Sequence, residues 1–150
     1  MKILGAILIG VIVLAVSAFF IVRSLEDRVT DELVSQVSLL AIPEGWKPLG
    51  DIVRREQFPC LSTNPCPSIH RRWQADGAVT VQDLEQIAAP AGLTLAVEGP
   101  CQRPANVIGI ASLCSGRAVK GGYDYQLTVT SDAPGEPEQL SLSVRPSLTP

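Results

Sequence analysis

The chain has 150 residues, with twelve Lys or Arg against fifteen Asp or Glu and a formal net charge of −3. That length holds one membrane segment and one modest domain rather than two domains with separate cores. From Glu44 onward nine basic residues face eleven acidic ones, and this near balance excludes a dedicated nucleic-acid binder, which needs a concentrated basic face against phosphates.

Ile3 to Val22 carries no charge, and Ser17 is its only polar side chain. At a rise of about 1.5 Å per residue a helix of this length measures about 30 Å, the thickness of a bilayer's hydrocarbon core. Lipid offers no partner to an open backbone, so such a segment is helical there. The reading is a transmembrane anchor over residues 1–22, with the lipid bilayer as the partner of residues 3–22. The alternative is a signal peptide cleaved after Ala18, because Val16-Ser17-Ala18 has the small-residue spacing a signal peptidase accepts; the product would be secreted. Phe19, Phe20, Ile21 and Val22 argue for the anchor by extending the run to full spanning length. Ala6 and Gly10 form a small-xxx-small pair through which two such helices can approach as a weak homodimer.

Residues 23–43 read as a helical stalk. Leu25, Val29, Leu33, Val37 and Leu40 recur at spacings of four and three, with Glu26, Asp27, Asp31 and Glu32 between them. The pattern predicts a helix over 24–41, stopped by Pro43 and Gly45. Its apolar stripe is too short for a coiled coil, so it is expected to pack on its own domain.

From Trp46 the period changes to two, opening a domain over 44–150. A first strand is predicted from Trp46 to about Arg54, and a second around Ile69, Arg71 and Trp73. A helix follows: Thr80 caps it, Asp83 stands three residues later as in a capping box, and Leu84, Ile87 and Ala88 share one face before Pro90 and Gly92 end it. Leu93, Leu95 and Val97 suggest another strand. Tyr123, Tyr125, Leu127 and Val129 alternate with polar residues, as do Leu140, Leu142 and Val144, each giving a half-buried strand. Gly121-Gly122 joins the first of these to a hairpin partner over Cys114–Lys120. One amphipathic helix on a mostly antiparallel sheet makes a two-layer α+β domain.

Cys60, Cys66, Cys101 and Cys114 form an even set downstream of the apolar run, and four cysteines allow three pairings. Cys60 with Cys66 and Cys101 with Cys114 are the favoured pairs, since each closes a short loop rich in turn residues. Their spacings do not match structural zinc sites, and no Cys-x-x-Cys redox motif occurs. Paired cysteines place the domain in an oxidising, extracytoplasmic space. Flanking charges do not set the orientation, since Lys2 precedes the run and Arg23 and Arg28 follow it.

No motif for catalysis, cofactor or metal binding is present. His70 is the one histidine, and a hydrolase assembled near it is the alternative function. The most suggestive polar feature is an interaction patch of Arg54, Arg55, His70, Arg71, Arg72 and Trp73, able to meet lipid head groups, envelope polymers or a partner protein's carboxylates.

Nine Arg against three Lys, abundant Ala, Val and Pro, and the segment Cys66-Pro-Ser-Ile-His-Arg-Arg-Trp73 give a layout that resembles small membrane-anchored or secreted envelope proteins of high-GC Gram-positive bacteria. The resemblance implies a cell-envelope location and assigns no functional residue. The resulting expectation is a non-enzymatic single-pass protein presenting a small binding or interaction domain outside the cytoplasm.

Overall fold

A computed structural model describes residues 2–57 and 66–147, with side chains from residue 10 onward. The described residues form an α+β fold of two α-helices, one 3-10 turn at Ala89–Ala91 and one six-stranded antiparallel sheet in the order β1-β2-β6-β5-β4-β3. The strands are β1 (Lys47–Arg54), β2 (Ser68–Gln74), β3 (Ala96–Glu98), β4 (Ala111–Lys120), β5 (Tyr123–Ser131) and β6 (Glu138–Pro146). The helices are α1 (Lys2–Ser38) and α2 (Val81–Ala88).

Alternation of apolar and polar residues gives the sheet two unlike faces. Ile69, Tyr125, Leu127, Val129, Leu140, Leu142 and Val144 are buried on the inner face. Leu33 and Val37 of α1, and Leu84, Ile87 and Ala88 of α2, belong to the same core. Both helices therefore cover one face, and among the described residues no helix covers the other.

The expected helical stalk is not a separate element. The apolar run and the charged amphipathic segment form one continuous helix of 37 residues. No proline or glycine interrupts residues 11–38, so nothing in the chain breaks the backbone ladder where polarity changes. Among the described residues, no helix is long and apolar enough to cross a membrane. From residue 10, where side chains are described, the apolar run reaches only Val22 before Arg23, Glu26 and Asp27.

Helix α2 begins as its residues dictate. The Thr80 backbone N–H donates to Asp83 Oδ2 at 2.8 Å, and the Asp83 N–H donates to Thr80 Oγ1 at 3.2 Å, completing a capping box. Thr80→Ala is expected to lower the unfolding free energy by about 1 kcal/mol, read as a shift in the urea midpoint.

The strand expected from Leu93 to Val97 is shorter, starting at Ala96. Gly92 takes a left-handed φ of 64°, and the Leu93 N–H donates to Ala88 O at 3.3 Å. Leu93 is thus spent on closing the helical end, which wants donors for its orphan carbonyls. The Gly121-Gly122 turn has φ of 59° and 80°, the doubly positive pair that a tight hairpin needs. Strand β4 begins at Ala111, earlier than expected, with a bulge between Ser112 and Cys114.

Cys101 and Cys114 are joined in a disulfide with Cα atoms 4.6 Å apart, as expected for this pair, and both are buried. It ties the loop after β3 to β4. Cys66 is also disulfide-bonded; Cys60, its expected partner, lies outside the described residues.

Candidate functional site

The register of the strands divides the expected patch. Residues facing each other across antiparallel strands share a face. Arg54 is paired with Ser68, Ile52 with His70, and Gly50 with Arg72, all on the outer face. Arg71 and Trp73 pair with Leu142 and Leu140, on the inner side. There Trp73 packs against the core, and Arg71 lies 3.1 Å from Asp51 Oδ2 in an ion pair whose Nε is out of line for a hydrogen bond. Arg55 follows the end of β1 and donates to Asp27 Oδ1 of α1 at 3.1 Å. Of the six patch residues, Arg54, His70 and Arg72 therefore stay together.

The fold adds two arginines to this face that the sequence reading missed. His70 is paired with Ser143, Ser143 with Gln126, and Gln126 with Arg117, one row across four strands. Arg145, two positions beyond Ser143 on β6, faces the same way, and its Nε donates to Ser143 Oγ at 3.2 Å. The alternation over Leu140–Val144 carries the signal that Arg145 points outward. Nothing in the sequence places β6 beside β2.

Among the described residues the ion pairs are Arg23–Glu26, Arg55–Asp27 and Arg71–Asp51. Arg54, Arg72, Arg117 and Arg145 have no carboxylate within 4.0 Å among those residues. Asp124, opposite Arg145 in register, is the acidic residue nearest to that arginine along the row. The other outer positions include Ser68, Ser115, Ser141, Ser143, Gln126 and Thr128, with Ile52 and Val119 as apolar positions and Glu98, opposite Ser115, as a second carboxylate beside Asp124. This is a hydroxyl and amide floor set with guanidinium groups, which supply donors to anions without a titration near neutral pH.

A cavity of about 460 Å³ opens on this face, lined by Ile52, Arg54, Ser68, His70, Ser143 and Arg145 among others. His70 is exposed there, and no carboxylate is among the cavity's described lining residues. Elsewhere, burial pushes the Tyr125 phenol above its ordinary 10.0; Tyr123 rises for the same reason, then from Glu56, Tyr125 and Glu32. Both stay neutral hydroxyls.

A second exposed feature lies at the Cys101–Cys114 disulfide. Arg103 Nη1 donates to Ser131 O and Oγ at 2.8 and 3.0 Å, and its Nη2 donates to Val107 O and Gly109 O. These bonds and the disulfide hold a loop whose tip exposes Ile108 by 99 %, with Ile110 beside it. No family model, no curated protein and no solved structure matches this chain.

Proposed function

We propose that this chain is a single-pass membrane protein. Residues 3–22 cross the bilayer, and the domain is held outside the cytoplasm, where its open sheet face binds a protein or an envelope component. The observation that carries the tether is the bare apolar cylinder of α1. From Gly10 to Val22 every residue is exposed, Leu14 by 72 % and Phe20 by 66 %. Water-soluble monomers do not leave so much contiguous apolar surface uncovered. Lipid covers it, and the residues before Gly10 bring the run to about 30 Å. A disulfide at Cys101–Cys114 suits an oxidising compartment.

Binding rather than structural service is the reading for the outer face. Polar sheet faces usually mix charges of both signs, which screens them and keeps them soluble. Here four arginines stand against two carboxylates, Asp124 and Glu98, on one face, and among the described residues none of the four makes an ion pair.

Two measurements on intact cells test the proposal. Alkaline extraction should leave the full chain in the membrane pellet, with its amino-terminal peptide still attached by mass spectrometry. An impermeant maleimide should label it only after an impermeant reductant is added, at the half-buried Cys66 rather than at the buried Cys101 and Cys114. Release at high pH, or loss of residues 1–18, defeats the anchor. Labelling that requires lysis defeats the extracytoplasmic placement.

A further inference from the structure

We infer that the cavity on the outer sheet face binds the phosphodiester head group of an anionic phospholipid, drawn from the same bilayer that holds α1. The inference rests on the tethered reading above. Its chemistry comes from three neighbouring strands: Arg54 from β1, Ser68 and His70 from β2, and Ser143 and Arg145 from β6. Ser68 lies beside Arg54 in register, and Ser143 beside His70. Two guanidinium groups thus line one cavity with two hydroxyls and an imidazole between them. A guanidinium offers paired N–H donors that match two phosphate oxygens, and hydroxyls donate to a third. Ile52, exposed on the same rim, offers an apolar surface to the glycerol and first methylenes of a lipid.

Placement of the cavity favours a lipid over other carriers of phosphate. Arg55, the residue after Arg54, is bonded to Asp27, and the Glu56 N–H donates to Thr30 Oγ1 at 3.1 Å. Asp27 stands about 7.5 Å beyond Val22 along the helix, by the rise per residue. The head-group layer on each side of the hydrocarbon is about 5–8 Å deep. The junction leaves no room for a spacer, because Val22, Leu25 and Val29 share a groove with Glu56. Thr30, which holds the backbone at Glu56, stands about 12 Å beyond Val22 by the same rise. The end of β1 that carries Arg54 therefore lies just outside the head-group layer and within an arginine side chain's reach of it, where the tether makes encounter with lipid effectively intramolecular. Asp124 is the acidic residue opposite Arg145 and sets an upper limit on the field.

The test is native mass spectrometry of the full chain released from neutral detergent. Phosphatidylglycerol or phosphatidylcholine is added at equal concentration, with inorganic phosphate as a third arm. Phosphatidylglycerol should be retained about tenfold or more over phosphatidylcholine. The R54Q/R145Q double variant should lose that preference at an unchanged melting temperature, whereas R117Q, on the same face outside the cavity, should keep it. Equal retention of the two lipids, or a preference that survives the double substitution, overturns the inference. So does inorganic phosphate that displaces phosphatidylglycerol at millimolar concentration, which identifies a free-phosphate site. Failure of the tether is read separately: a chain that alkaline extraction releases is not membrane-spanning, whatever the lipid titration shows.

Discussion

Replacing Cys114 by Ser is expected to lower the unfolding free energy by about 3 kcal/mol, which for a domain of this size is a fall in melting temperature of about 10–15 °C. The bond to Cys101 closes a segment with a sequence separation of 13, so its loss returns loop entropy to the unfolded chain. The effect reaches further than the two sulfurs. Cys101 has a φ of 52° without being glycine, a backbone state that its surroundings must hold. The loop it starts carries Arg103 and its bonds to Ser131, Val107 and Gly109. In the variant, Cys101 should react with thiol reagents only in denaturant, because it is buried. A melting curve identical to that of the unaltered protein would defeat the structural role.

Truncation within α1 is expected to give the other large effect. Removing residues 1–24 takes away the exposed apolar cylinder and leaves the core untouched; the product should be soluble and fold when made in an oxidising compartment. Removing residues 1–42 takes Leu33, Val37 and Leu40 out of the core and should leave a chain that does not fold. Truncating one buried aliphatic side chain costs about 2–5 kcal/mol, and small domains are stable by only about 5–15 kcal/mol. The point variant Leu33→Asp in the full chain should act in the same direction by burying an unpaired charge. Circular dichroism and limited proteolysis distinguish the cases. A cooperative unfolding transition in the chain lacking 1–42 would show that the helix is dispensable, and would remove the physical basis for a rigid link between membrane and domain.

That link changes how the apolar stripe over 24–41 is understood. Its spacing makes the helix legible and its burial expected. Its continuity with the apolar run is not legible, because a change from apolar to charged residues looks like a boundary even when the backbone crosses it unbroken. The ion pair of Asp27 with Arg55 and the bond from Glu56 to Thr30 join positions far apart in sequence, and no local pattern announces them.

The candidate face divides in the same way. Alternation along a strand fixes which residues share a face with one another, so Arg71 and Trp73 are separable from His70 and Arg72 by parity alone once the strand is accepted. Which strand lies alongside, and in what register, depends on contacts distant in sequence. Arg145 joins Arg54 and His70 only because β6 inserts between β2 and β5, bringing Ser143 opposite His70.

The sequence by itself determined the α+β class, the capping box at Thr80 and the hairpin at Gly121-Gly122. All of these rest on nearest-neighbour chemistry or on short periods, which a chain carries whatever its surroundings. Tertiary structure alone decided that β6 lies next to β2, that Cys101 is joined to Cys114, that α1 runs unbroken into the core, and that Arg54, His70, Arg72, Arg117 and Arg145 share one face. The reason is physical: strand order and helix docking are chosen by how apolar surface from separated segments is buried together, and that choice is a property of the whole chain.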